Sequence, residues 1–248
     1  MSAGFALDAE GKITAATSFL MIHHALRRDA ARFPHALAAL KPQDTEQAAR
    51  LAEHWRLYHW VLTDHSENED DSLFPLVASR DGSLSSVLAE IEADHAVLDR
   101  ELAGITAQME RLPAADAIAA ARAATGRLES HLDAHLAEEE RHLVPVLVDR
   151  VRPEELGGGK GGGGPQGDEG APQGDGGAPV AYRPPTWLVS AWTDEGVDAA
   201  VTDAVIAALP PKFQEQMGRQ LAGWRADYQR LAGEVWRDVP AALAPQAP

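Results

Sequence analysis

A repeat narrows the fold of this chain more than any other feature. HSENEDDSLFP, starting at His65, aligns with HLAEEERHLVP, starting at His135, and the shared pattern is H-x3-E-x3-L-x-P. In each copy the i, i+4 spacing places the imidazole and the carboxylate about 40° apart on one face of a helix. The surrounding apolar residues follow the same period, so the repeat predicts helices packed through these faces. Ten histidines and nineteen glutamates in 248 residues make about one H-x3-E match expected by chance. Two matches that also share the downstream Leu and Pro are a far rarer event.

Hydrophobic spacing reads as four helices before residue 150, with almost no alternation of the β type. On the first, Phe19, Ile22, His23, Leu26, Ala30 and Phe33 share a stripe that Pro34 is expected to interrupt. The second runs Leu51, Trp55, Tyr58, Leu62, His65, Glu69, Leu73 and Leu76 at gaps of three and four. Leu84, Leu88, Ile91, His95, Leu98, Leu102 and Ile105 form the third, and Ile118 through Leu128, Leu132, His135, Glu139, His142 and Val146 the fourth. Breaks at Lys41-Pro42, Asp81-Gly82 and Leu112-Pro113 are short, which makes neighbouring helices antiparallel. The expectation is an all-α, antiparallel up-down-up-down four-helix bundle.

Polar residues on these seams carry the chemistry. His23, His65, Glu69, His95, His135 and Glu139 sit where a bundle keeps its core, and every helix contributes at least one. A buried imidazole without a partner costs a few kcal/mol and an unpaired carboxylate more. A metal centre is the common partner that accepts nitrogen and oxygen donors together and offsets the buried negative charge. The two His/Glu pairs facing each other describe a dinuclear site, with Glu69 and Glu139 as candidate bridges.

Composition bounds the alternatives. A net charge of −16 with only four lysines argues against nucleic acid or an anionic membrane as a partner. The absence of cysteine removes thiolate metal sites, iron–sulfur clusters and disulfides. Neither a basic, apolar leader nor an apolar stretch of spanning length is present, so the expected location is cytoplasmic. Residues 153–181, with twelve of the 21 glycines between Gly157 and Gly177, read as a Gly/Pro-rich flexible linker. Residues 182–240 then return to helical spacing, with Phe213, Met217, Leu221, Trp224, Tyr228, Leu231 and Val235 on one stripe. Two helices cannot bury that stripe alone, so this helical C-terminal extension is expected to pack on the bundle or on a partner, a second copy of the chain included.

Over about residues 13–150 the sequence resembles the hemerythrin-like, or HHE, cation-binding family, whose mark is a His, an H-x3-E, a second His and a second H-x3-E on successive helices. The resemblance implies two non-haem iron ions (Fe2+/Fe3+), oxo- or hydroxo-bridged, held by His23, His65, Glu69, His95, His135 and Glu139. It implies O2, peroxide or nitric oxide as ligands, with catalase-like or other di-iron oxidoreductase activity. The alternative is an iron or oxygen sensor, or an iron-handling module, without turnover. Hemerythrins that carry oxygen reversibly have an H-x3-H pair on the third helix. Here Ile91 and Asp99 stand four residues either side of His95, a departure that favours redox reactivity over reversible carriage.

Other residues are further candidates. His131, one turn before His135, and His142, one turn beyond Glu139, are additional candidates for the metal or its surroundings. His24 lies about 100° from His23 and reads as a flank, and Tyr58 is a candidate electron or hydrogen-bond donor. Glu138 and Glu140 flank a candidate ligand and are placed to hydrogen-bond imidazoles. Asp70 reads as solvated, and Arg27-Arg28-Asp29 as pairing with nearby acids.

Overall fold

A computed structural model of the chain describes residues 7–158 and 182–244. Among them the only strand-like pairing is one isolated bridge between Leu7 and Ile13. The bundle consists of α1 (Ala16–Ala39), α2 (Thr45–Asn68) with its continuation α3 (Phe74–Arg80), α4 (Ser85–Met109) and α5 (Ala115–Arg150). Three further helices follow, α6 (Thr186–Asp194), α7 (Ala199–Ala208) and α8 (Pro211–Val235). Of the expected linker, Pro153–Gly158 forms a short 3-10 turn, and residues 159–181 lie outside the described residues.

Local chemistry accounts for several boundaries. Asp44 caps α2 by accepting the Gln47 backbone N–H at 3.1 Å, and Asp198 caps α7 through the Ala200 N–H at 2.9 Å. Pro34 does not end α1, contrary to the reading of the sequence; the helix runs on through His35 to Ala39. Phe33, Ala36 and Leu37 are buried on either side of the proline, and this packing outweighs the one backbone hydrogen bond that proline removes.

The second helix departs from the expected register in an informative way. Glu69–Leu73 is a π-helical turn, closed by the Phe74 N–H donating to the Glu69 carbonyl. One residue is thereby inserted, and every position beyond it moves round by one. Phe74 and Val77 are buried in place of the expected Leu73 and Leu76. Pro75, which has no N–H to offer an α-helical ladder, adjoins this turn.

The apolar core of the bundle has two large clusters, and a third, small one joins Met21 of α1 to Val201 of α7. One cluster includes Leu26, Phe33, Leu62, Leu98 and Leu132; the other includes Phe19, Phe74, Ile91, Leu143 and Val146. Along α1, α2 with α3, and α4 the polar seam residues fall between members of the first and members of the second, and on α5 Glu139 falls between Leu136 and Leu143. The first cluster also takes in Trp192, Tyr228 and Trp236, so α6 and α8 pack on the bundle. Each such aromatic buries about 150–250 Å², or roughly 4–6 kcal/mol at about 25 cal/mol/Å² before the entropy of ordering.

Buried charge marks the same junction. Asp29 of α1 is inaccessible to solvent. Its Oδ2 accepts hydrogen bonds from His54 Nε2 at 2.7 Å and Trp192 Nε1 at 2.6 Å. Its Oδ1 accepts from Arg28 Nε at 2.9 Å and Arg32 Nη1 at 3.1 Å. Arg32 also grips the Glu195 carboxylate with both terminal nitrogens, at 2.9 and 2.7 Å. The sequence reading paired Arg28 and Asp29 with acids near the seam; only Arg27 reaches those, donating to Asp133 at 2.8 Å and to Glu140.

Candidate metal centre

The four seam histidines turn their Nε2 atoms toward Glu69 and Glu139 between the helices. His23 Nε2 and His65 Nε2 are 3.1 Å apart. The second pair, His95 and His135, meets edge to face with ring centroids 4.9 Å apart. Glu69 and Glu139 each span both pairs. Glu69 Oε1 lies 3.4 Å from His65 Nε2 and its Oε2 lies 3.6 Å from His95 Nε2. Glu139 Oε2 lies 3.4 Å from His23 Nε2, and its Oε1 lies 2.9 Å from His135 Nε2 and 3.4 Å from His95 Nε2.

Hydrogen bonds behind the rings set the tautomers. His23 Nδ1–H donates to Glu140 Oε1 at 2.9 Å, His95 Nδ1–H to Asp70 Oδ1 at 2.9 Å, and His135 Nδ1–H to Asp94 Oδ2 at 3.0 Å. A carboxylate only accepts, so the proton sits on Nδ1 and the Nε2 lone pair faces inward. Phe19 packs on His23 with ring centroids 3.9 Å apart, and Phe74, delivered by the π turn, stacks on His95 at 5.8 Å.

The electrostatics are those of a site built around a cation. Among the described residues neither oxygen of Glu69 has a hydrogen-bond partner, nor has Glu139 Oε2, although all three atoms are buried. Burial and the neighbouring Glu139 charge push the Glu69 carboxyl well above its ordinary range. Burial also acts on Glu139, but its close contacts with the His135 and His95 imidazoles outweigh it and hold that carboxyl low. Burial, with His23 alongside, lowers the His65 imidazole to about 3. Inward lone pairs and unpartnered buried oxygens are what a cation would satisfy. Ligands around one ion with bonds of about 2.1 Å stand about 3–3.5 Å from each other, and the nitrogen and oxygen spacings here match. The donor set fits a metal, and it divides into two groups whose atoms lie within 4.8 Å of one another: His23, His65, Glu69 and Glu139, and His95, His135 and Glu139.

A family model for the hemerythrin HHE cation-binding domain matches residues 14–153. The chain belongs to the hemerythrin HHE cation-binding family. All six seam residues lie within the matched span, and cation binding by an HHE domain is consistent with their buried donors. No curated protein and no solved structure matches the chain.

Other candidates lie elsewhere in this HHE domain. His131 has both nitrogens on carboxylates, Nδ1 on Glu101 at 3.0 Å and Nε2 on Asp94 at 3.0 Å, so it reaches His135 only through Asp94. His142 pairs with Glu138 at 3.0 Å on the outer face. His24 faces the C-terminal segment, where a Cβ on Gly196 would stand 3.0 Å from its Nε2. Tyr58 is buried in the first core cluster and donates its hydroxyl to the Leu26 carbonyl at 3.3 Å. None of these four has an atom in either donor group. Of the flanking acids, Glu140 binds a seam imidazole, that of His23, whereas Glu138 pairs with Arg141 and with His142, which lies outside both donor groups. Asp70, read from the sequence as solvated, binds His95, because the π turn begins at its neighbour Glu69. Asp94 was not singled out by sequence reasoning; its only signal is an acid directly before a seam histidine.

Proposed function

We propose that the HHE domain holds two iron ions, one between His23 and His65 and one between His95 and His135, with Glu69 and Glu139 bridging, and that it reacts with peroxide, O2 or nitric oxide. The observation that carries this reading is that each carboxylate offers one oxygen to each histidine pair. Bound iron would supply one-electron redox steps and a Lewis acid for small oxygen- or nitrogen-containing ligands. The chain's own residues do the rest. Glu140, Asp70 and Asp94 fix the imidazoles and raise their basicity. Phe19 and Phe74 keep water from the rings they cover. The two bridging carboxylates balance the charge of the cations in an interior that would otherwise hold like charges side by side.

Peroxide decomposition is favoured over reversible carriage because neither Ile91 nor Asp99 adds a fifth imidazole. Ile91 is apolar and buried, and Asp99 is exposed. Fewer protein donors leave more positions for an exogenous ligand. The test is iron content and optical spectra of chain purified from iron-supplied cells, before and after reduction, with hydrogen peroxide consumption followed. Two irons per chain and steady turnover are expected. Less than one iron, unchanged by combining Glu69→Gln with Glu139→Gln, sinks the proposal.

A second reading, a sensor without turnover, draws support from α1. That helix carries His23 and also Arg28, Asp29 and Arg32, which bind the C-terminal segment. Redox-dependent hydrogen exchange in α6–α8 without peroxide consumption would favour it.

A further inference from the structure

Two turns from the metal donors, α2 carries a stacked aromatic pair with a hydrogen-bonded outlet for a proton. Trp55 is 1 % exposed, and Tyr58, one turn on, is inaccessible to solvent. Their rings stack with centroids 5.5 Å apart. Tyr58 stands seven residues before His65, about 10 Å along the axis and on nearly the same face, so the pair leads along α2 toward the metal donors. The Trp55 indole N–H donates to Thr106 Oγ1 of α4 at 2.8 Å, and His59 Nδ1 lies 2.9 Å from the same oxygen. An indole nitrogen only donates, so the hydroxyl accepts from Trp55 and has its own hydrogen to give to His59. Burial lowers the His59 imidazole below its ordinary value, against the pull of Asp99, which keeps that nitrogen unprotonated at neutral pH. His59 is only half-buried, so a proton received there can pass on to water.

The other fully buried aromatic donors lack this combination. The Tyr58 hydroxyl faces the Leu26 carbonyl, which is no base. Arg28 lies over the Trp192 ring, 5.3 Å from its centroid, and Arg32 over the Trp236 ring at 5.6 Å. A fixed positive charge beside an indole opposes the loss of an electron from it. Trp192 gives its N–H to Asp29, a carboxylate that two arginines and His54 already bind. Trp236 Nε1 has no partner among the described residues. Only Trp55 combines a stacked neighbour on the metal side with an outlet to an imidazole.

Resting on the di-iron reading above, we propose that Trp55 is a one-electron donor to the metal centre, with Tyr58 as the relay and with Thr106 and His59 as the path of its proton. Peroxide takes up two electrons, and two protons from water, to become two waters. Where the centre has one electron to give, Trp55 supplies the second. The electron passes by way of Tyr58, the indole proton moves to Thr106 Oγ1, and the Thr106 hydroxyl proton moves to His59 Nδ1. A neutral indolyl radical and a protonated imidazole remain. The test mixes hydrogen peroxide with iron-loaded full chain poised at one reducing equivalent per two irons, freezes it rapidly and reads electron paramagnetic resonance. A radical is expected whose hyperfine pattern changes when the tryptophans are ring-deuterated. Trp55→Phe should abolish it, and Trp236→Phe should leave it unchanged. Thr106→Val should lower its yield about tenfold or more, as loss of a proton acceptor does, and Thr106→Ser should restore it. The Thr106 pair decides the matter should Trp55→Phe fail to fold. Iron-loaded chain that gives no tryptophan radical, or gives it undiminished in Thr106→Val, overturns this assignment and leaves the di-iron reading standing. A chain that holds no iron overturns both.

Discussion

Replacing Asp29 with Asn tests how the C-terminal helices are held to the bundle. Asp29 accepts four hydrogen bonds, from His54, Trp192, Arg28 and Arg32, and it is inaccessible to solvent. With Glu195 it balances two buried guanidinium groups. Asparagine is nearly the same shape, yet its amide nitrogen must face either the two arginines or the His54/Trp192 pair, all of them donors. Two guanidiniums are then left against one carboxylate. Removing one partner from a buried charge cluster costs about 3–5 kcal/mol. For a chain of this length each kcal/mol moves Tm by roughly 2–4 °C, so a fall of about 6–20 °C is expected. Urea and thermal unfolding of the full chain read it directly. A loss under about 1 kcal/mol refutes the reasoning, because surface ion pairs contribute no more than that.

The same residue yields a pH signature. Burial alone would raise the Asp29 carboxyl, but the Arg28 charge and the His54 hydrogen bond outweigh it and hold it far below the ordinary 3.8. A carboxyl depressed in the folded state stabilises the fold above its unfolded value and loses that contribution as pH falls below it. Stability of the native chain should therefore drop as pH falls below about 4. Asp29→Asn should show a shallower slope there, and an unchanged slope would assign the acid sensitivity to other carboxyls.

Three further outcomes are expected. His65→Ala should remove metal far more than His24→Ala, measured as iron per chain; equal losses would mean that the wrong helix face has been read. Gly196→Ala should lower Tm, because φ is +77° and a Cβ would stand 3.0 Å from His24 Nε2; a strained position of this kind costs about 1–3 kcal/mol, and an unmoved melt would contradict the left-handed backbone. Metal affinity should rise with pH, since burial and Glu139 keep a proton on Glu69 in the metal-free chain and binding must release it. Calorimetry in buffers of different ionisation enthalpy detects that proton, and none detected would mean that Glu69 is not a ligand.

The helical bundle and its polar seams were legible because both follow from spacing along one helix. His95 and its neighbours Leu88, Ile91, Leu98, Leu102 and Ile105 are all buried as their rhythm implies. So are His23, His65, Glu69, His135 and Glu139. The second helix shows the limit. Period counting carried Leu73 and Leu76 to the core, but one π turn at Glu69 put Phe74 and Val77 there. The other copy of the repeat, with the same Leu and Pro, buries Leu143 within an unbroken α5. Identical local signals thus met different surroundings.

By itself the sequence determined the helical class and the six residues that converge, because an apolar or polar stripe at 3.6-residue spacing specifies a face whatever lies opposite it. Only the tertiary structure decided what stands behind each imidazole. Asp70, Asp94 and Glu140 come from helices other than those of the histidines they bind, and no periodicity within one helix encodes a contact made across two. The junction of Asp29 with Trp192 and of Arg32 with Glu195, 163 residues apart in each case, is of the same kind. Burial of a charge depends on which partner the fold delivers, and that partner is a property of the packed chain rather than of any stretch of it.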